Sequence, residues 1–331
     1  MDRSLLPIDR RQFLKAGVLT AAGMGLLTCV HKPSVTFEPL KPLRENPHKK
    51  SAASTDSDDS KPDLEKVLLI GIDGLRPDAL EVADTPNIDR LINEGAYSGK
   101  AQAGKYTMSG PGWSNILLGV WEHKHGVKDN SFKGSKYDEY PSLFARLEEV
   151  RPELYTVSIV SWKPIHDHII TTADKRIHHA WQDKGDELVT QDAVKILRDQ
   201  DPDVLFVYFA DVDETGHQYG FHSTVREYVR AIERVDDEIG QIMRALHDRK
   251  QYSHEDWLVL ATTDHGGRGT GHGGQSPEEK TIFYIARGSA AVRGAIAPPP
   301  TQVDIAPTVF RHMNVPIDPA WKLDGKAAGI K

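Results

Sequence analysis

The chain has 331 residues, of which 39% are hydrophobic and 27% charged, and its formal net charge is -7. That balance excludes a disordered or collagen-like chain, and an acidic surplus argues against a nucleic-acid-binding module, which needs a basic stripe. A mean hydropathy of -0.47 excludes a polytopic membrane protein. A single cysteine, Cys29, excludes a disulfide framework and any thiolate zinc site, so a metal would fall to histidines and carboxylates.

Residues 1–30 read as an export signal. DRRQFLK at 9–15 precedes an uncharged run from Ala16 to Val30, a charged start followed by a short apolar stretch. The run is too short to cross roughly 30 Å of hydrocarbon as a helix, and it has no polar face to make it a surface helix. Arg10, Arg11, Phe13, Leu14 and Lys15 resemble the twin-arginine signal that exports folded cargo. Cys29 closes the run as LLTC, which resembles the lipobox of bacterial lipoproteins; a plain thiol is the competing reading. The expected location is the periplasm, or a membrane facing it with Cys29 lipidated. Residues 31–63 contain five prolines and the stretch SAASTDSDDS, with no hydrophobic period, and read as a disordered linker.

Residues 64–331 suit one α/β domain. Val67 to Ile72 is a continuous apolar run, and similar runs occupy 155–162, 203–210, 256–263 and 281–286. Such runs suit strands buried on both faces. Between them lie helical patterns. The clearest places Val225, Tyr228, Val229, Ile232, Val235, Ile239, Ile242, Met243 and Leu246 on one stripe. Alternating strands and helices predict a mostly parallel central sheet with helices on both faces.

Ligands of such sheets gather at the carboxyl ends of the strands. Asp73 follows the first run, Asp213 and His217 follow the third, and Asp264 and His265 follow the fourth, with His272 in GRGTGHGG just beyond. A lone carboxylate there often caps a helix, and Asp73 alone would be read so. Three carboxylates with three histidines and no thiolate instead suit a catalytic site for zinc or another first-row divalent ion. In TMSGPGWSN, Ser109 lies in a Gly/Pro turn before the apolar run ILLGV, where backbone N–H groups favour an anion; an N-cap serine is the plainer reading.

GIDGLRPDAL, TPNIDRLINEGA, SGPGWSNILLGVWEHKHGVKDN, VDETGHQYG, TTDHGG and GTGHGG, in this order, resemble the alkaline phosphatase superfamily, and DGLRPDAL its nucleotide pyrophosphatase/phosphodiesterase branch. The late segment VDIAPTVFRHMNVPIDPAWKLDGK resembles the superfamily's C-terminal pattern. The resemblance implies an alkaline-phosphatase-like fold, with a cap reduced because the chain is short for the branch. It implies two divalent ions, most simply zinc. One would be held by Asp73, Asp264, His265 and the Ser109 hydroxyl, the other by Asp213, His217 and His272. Ser109 would be the nucleophile, with Thr107 as fallback, and Asn130 would contact a phosphoryl oxygen. The implied substrate is a small-molecule phosphoester, most simply a diester. Gly110 and Gly112 stand where the branch has a bulky residue and an asparagine, and are expected to leave a roomier turn.

Competing functions are a phosphomonoesterase or sulfatase on the same fold, or a non-catalytic surface lipoprotein. A sulfatase would need an arginine where Trp113 stands and a calcium site richer in carboxylates. His123, His166 and His168 read as surface histidines, Arg76 as an ion-pair residue, and Asp236 and Asp237 as a solvated helix face.

Overall fold

The computed structural model describes residues 64–331; the expected export signal, Cys29 and the linker lie outside them. Eight strands form one sheet: β1 (Leu64–Ile72), β2 (Ala96–Gln102), β3 (Thr156–Val160), β4 (Lys175–His178), β5 (Val204–Phe209), β6 (Glu255–Thr262), β7 (Thr281–Arg287) and β8 (Gly294–Ala295). Their spatial order is β4-β3-β5-β1-β6-β7-β2-β8. Only β7 runs against the rest, pairing antiparallel with β6 and β2, so the sheet is mixed and mostly parallel.

The apolar runs are continuous because each central strand feeds two cores. In β1, Val67 and Leu69 enter one cluster while Leu68, Ile70 and Ile72 enter the other. In β5, Val204, Phe206 and Tyr208 part from Leu205, Val207 and Phe209 in the same way, as the two-residue period of a strand requires. Helices Pro86–Glu94, Gly185–Asp199 and Arg226–His247 cover one face, and helices Ser109–Leu118, Leu143–Val150 and Ile305–His312 the other.

The five apolar runs correspond to β1, β3, β5, β6 and β7. The strands that the runs do not announce lie toward the edges. Edge strand β4 reads KRIH, β2 reads AYSGKAQ with a register break between Ser98 and Ala101, and β8 is two residues long. Short, charged or small-residue strands carry little hydrophobic signal, and sheet edges favour them because they resist pairing with a second chain.

Helix Arg226–His247 follows the expected stripe, but Asp236 does not face solvent. It is buried, and its carboxylate accepts the backbone N–H groups of Asn87 (3.1 Å) and Ile88 (2.7 Å) and the Asn87 side-chain amide (2.8 Å). It thereby serves the N-terminus of the Pro86–Glu94 helix, whose own cap residue Thr85 makes no side-chain cap. His166 is also buried, bonded to Ser158 Oγ at 2.8 Å, whereas His168 stacks on Phe132 with ring centroids 4.3 Å apart.

Candidate active site

β5, β1 and β6 are parallel neighbours, so the residues following them meet at one edge. Asp73 directly follows β1, Asp264 and His265 follow β6, and Asp213 and His217 lie four apart on one face of helix Asp211–Tyr219. Gly74 closes the gap between them. Its φ of 66° is left-handed, and a Cβ there would fall 2.4 Å from Asp213 Oδ1, so a side chain would push the Asp73 turn off Asp213. The Gly74 N–H reaches Asp264 Oδ1 at 3.3 Å.

All six expected metal ligands come together. Asp73, Asp264 and His265 each offer a donor atom within 4.8 Å of the others, and so do Asp213, His265 and His272. His217 Nε2 lies 3.3 Å from Asp213 Oδ2 and 3.0 Å from His272 Nε2. His265 Nε2 lies 3.4 Å from Asp73 Oδ1 and 3.2 Å from Asp264 Oδ2.

Two features make this a fit for cations rather than a buried polar knot. Asp73 Oδ1, Asp213 Oδ1, Asp264 Oδ2 and His265 Nε2 are buried without a hydrogen-bond partner; such atoms cost about 1–3 kcal/mol each unless something outside the protein satisfies them. Each imidazole also gives its Nδ1–H to a backbone carbonyl: His217 to Thr270 (3.0 Å), His265 to Gly266 (2.9 Å) and His272 to Thr107 (2.8 Å). These bonds turn all three Nε2 atoms toward the carboxylate cluster, the orientation a metal site requires. Oxygen and imidazole donors without thiolate suit zinc or a similar divalent ion.

The electrostatics of the protein alone express the same demand. Burial, then the charges of Asp73 and Asp213, hold the Asp264 carboxyl well above the usual range. Hydrogen bonding to Asp213 pushes His217 up to about 9, while burial and then His265 hold His272 down to about 3. Burial and Asp213 raise Glu214, beside the ligands, to about 7. The crowded negative charge calls for a cation.

Ser109 is not an N-cap. Met108 occupies that position without a side-chain cap, and helix Ser109–Leu118 begins at Ser109 itself. The expected turn is thus already helix, with Pro111 in the first turn, where its missing N–H costs nothing. The buried Ser109 hydroxyl makes no hydrogen bond among the described residues. Thr107 is committed elsewhere: its hydroxyl donates to Gly274 O (2.8 Å) and accepts from Gly273 N (3.0 Å).

Asn130 is exposed beside this helix start. Its Oδ1 accepts the Gly110 N–H at 2.7 Å, so that N–H is spent on Asn130, and the Asn130 amide is left to donate. The expected roominess at the two glycines is not found. A Cβ at Gly110 would meet Asp129 O at 2.8 Å, and one at Gly112 would meet Asp264 Cβ at 2.8 Å. The glycines admit close neighbours rather than open space.

Several neighbours of the cluster carry no sequence signal. Asp73 Oδ2 accepts from Trp113 Nε1 (3.0 Å) and from Tyr208 Oη, which fixes the carboxylate and leaves Oδ1 facing the cluster. Tyr208 sits inside an apolar strand run and could not be told from core. Gln302 gives its amide N–H to Asp264 O and receives Gly104 N and Asn115 Nδ2. Arg76 is structural: it pairs with Asp78 and donates to Phe221 O and Gly267 O. Arg268 lines a cavity of about 370 Å³ with Glu278, Phe221 and Tyr219.

The family model for type I phosphodiesterase/nucleotide pyrophosphatase matches residues 67–180 and 146–273. Mouse ectonucleotide pyrophosphatase/phosphodiesterase family member 7 is 22% identical over 223 residues, covering 61% of this chain and 49% of that protein. Human bis(5'-adenosyl)-triphosphatase ENPP4 is 24% identical over 223 residues, covering 61% and 47%. The chain thus spans about half the length of the curated relatives it matches. Among solved structures, murine ectonucleotide pyrophosphatase/phosphodiesterase 5, inactive and in complex with AMP, superposes with a TM-score of 0.63 at 14% identity over 76% of this chain and 96% of that one. A 2-O GAG sulfatase superposes with a TM-score of 0.65 at 16% identity over 81% and 73%; both share the fold. Matched by the family model over more than half its length, the chain belongs to the type I phosphodiesterase/nucleotide pyrophosphatase family of the alkaline phosphatase superfamily.

Proposed function

We propose that the protein is an exported two-metal hydrolase that cleaves small phosphodiesters through a phosphoseryl intermediate on Ser109. The observation that carries this reading is the set of four buried, partnerless ligand atoms beside a helix whose first residue is a serine with a free hydroxyl. Asp73, Asp264, His265 and Ser109 would hold one zinc ion, and Asp213, His217 and His272 the other. When bound, such ions supply Lewis-acid charge that activates a hydroxyl and neutralises a leaving oxygen.

The chain's own residues set the geometry. Gly112 and Trp113 pack the first turns of the Ser109–Leu118 helix against Asp264 and Asp73, so Ser109 would face the ions and the helix's positive end would face a phosphoryl group. Ser109 Oγ forms the new bond to phosphorus as the alcohol leaves; water then cleaves the phosphoserine and restores the hydroxyl. The Asn130 amide, held through its Oδ1 by Gly110, would donate to a phosphoryl oxygen. Trp113 and Tyr208 keep Asp73 in one rotamer. Trp113 fills the position at which a sulfatase needs arginine, and its N–H is given to Asp73, which disfavours that chemistry.

Preference for diesters rests on charge. A monoester dianion asks for a cation near the nucleophile, but Lys105 directs its Nζ over the Tyr106 ring and Arg268 lines the cavity beside Glu278. Metal analysis with turnover tests the reading: about two zinc per chain, activity lost to EDTA and restored by zinc, and an inactive but metal-loaded Ser109→Ala are expected. Full activity in Ser109→Ala, or indifference to EDTA, would contradict it. Export is tested separately, since changing Arg10 and Arg11 to lysine should strand precursor in the cytoplasm, and a Cys29→Ala variant should be released from membranes if Cys29 is lipidated.

A further inference from the structure

Away from the strand ends, a cleft of about 260 Å³ opens between helices Pro86–Glu94 and Arg226–His247. Each helix contributes one face at three- and four-residue steps, including Arg90 and Glu94 from the first and Met243, Arg244 and His247 from the second, and Arg287 closes the end. Three guanidiniums therefore surround one carboxylate. Glu94 is already taken, paired with Arg287 Nη2 at 3.0 Å. Arg287 Nη1 donates to His247 Nε2 at 3.2 Å, which assigns that imidazole the neutral form. The side chains of Arg90 and Arg244, both exposed, have no ion pair or hydrogen bond among the described residues, so two guanidiniums at the cleft's rim lack a protein counter-charge in a chain whose net charge is -7.

The floor is of another character. Leu91 and Met243 are buried beneath the rim, and the Asn87 side chain, packed over Gly240, is spent on Asp236. A rim of forked donors over an apolar floor matches a phosphoryl dianion bearing a small organic group, since guanidinium binds such oxygens in pairs. The cleft is remote from the metal cluster. Arg287 pairs with Val259, five residues before Asp264, which places it roughly 16 Å along the strand from that ligand.

We infer that this cleft is a second, non-catalytic binding site for a small phosphate-bearing anion, with Arg90 and Arg244 as its phosphate ligands. Titration calorimetry on the zinc-loaded protein, with inorganic phosphate and with phenylphosphonate, which cannot be hydrolysed, tests this. Two classes of site are expected in the unmodified protein. The double variant Arg90→Gln, Arg244→Gln should lose one of them, with affinity there falling at least tenfold while the Ser109 site still binds. Tighter binding of phenylphosphonate than phosphate at the cleft would identify an organic phosphate as its occupant, and equal binding would identify free phosphate. A single class of site that persists unchanged in the double variant, or two classes in that variant, would overturn the inference, whereas a single class lost in the variant would count only against phosphate binding at Ser109. Should the variant fold poorly, phenylglyoxal modification of the unmodified protein decides: phosphate should protect Arg90 and Arg244, and unprotected reaction at both would also overturn it.

Discussion

Replacing Thr107 by valine separates the two hydroxyls that compete for the nucleophile's role. Thr107 is fully buried, and its hydroxyl ties Gly273 N–H and Gly274 C=O to the chain at 3.0 and 2.8 Å. Its own carbonyl receives Nδ1–H of His272. Valine keeps the volume and removes both hydroxyl bonds, each of which contributes about 1 kcal/mol net. The segment Gly273–Gly274 should loosen, and the adjacent His272 should lose orientation. Removing a ligand's outer partner costs about 10- to 100-fold in metal affinity, or about 1.4–2.7 kcal/mol, and because the Thr107 carbonyl still receives His272 the lower end is expected. Competition with a chelator of known affinity measures that shift, and turnover against free zinc should show the lost activity returning at saturating metal. Ser109→Ala should behave in the opposite way, binding metal normally and remaining inactive. A Thr107→Val enzyme with normal zinc affinity and no turnover would make Thr107 the nucleophile and refute the assignment.

The remaining expectations concern the supports of the site and the fold. Trp113→Phe removes one of two donors to Asp73 Oδ2, a bond to a charged acceptor worth about 1.5–3 kcal/mol; zinc affinity should fall with the fold intact, and unchanged affinity would make the indole mere packing. The Asp213 carboxylate raises His217 from 6.5 to about 9. In the metal-free protein this pair therefore stabilises fully below pH 6.5 and is lost as pH rises through 9. Zinc must displace the same proton, so zinc affinity should climb from pH 6.5 to 9, and a flat profile would argue against His217 as a ligand. Asp236→Ala should lower stability in denaturant unfolding by about 2 kcal/mol, because it leaves the first N–H groups of the Pro86–Glu94 helix without an acceptor; no change would remove its capping role.

Legibility followed burial and chemistry. β1, β5 and β6 announced themselves because both their faces are buried, and the candidate cluster is legible because carboxylates and histidines follow three neighbouring strands. The edge strand β4 and the short β8 were silent because their stability comes from pairing, not from apolar side chains. Asp236 reads as solvated because a charged residue on a helix ordinarily is; only the position of the Pro86–Glu94 helix gives it a buried task. Gly110 and Gly112 read as open space for a similar reason: a missing side chain in sequence says nothing of which neighbour fills its place, and here Asp129, Asn130 and Asp264 do. Tyr208 and Trp113, each hidden in apolar surroundings, join the cluster only through the Asp73 oxygen they share.

The ratio of kcat/KM for bis-p-nitrophenyl phosphate to that for p-nitrophenyl phosphate, measured on the zinc-loaded protein with Ser109→Ala as the background, tests the central claim most directly. The predicted result is a clear preference for the diester, abolished for both substrates in the variant. A clear preference for the monoester, or a diester rate that survives Ser109→Ala, would contradict a phosphodiesterase working through Ser109.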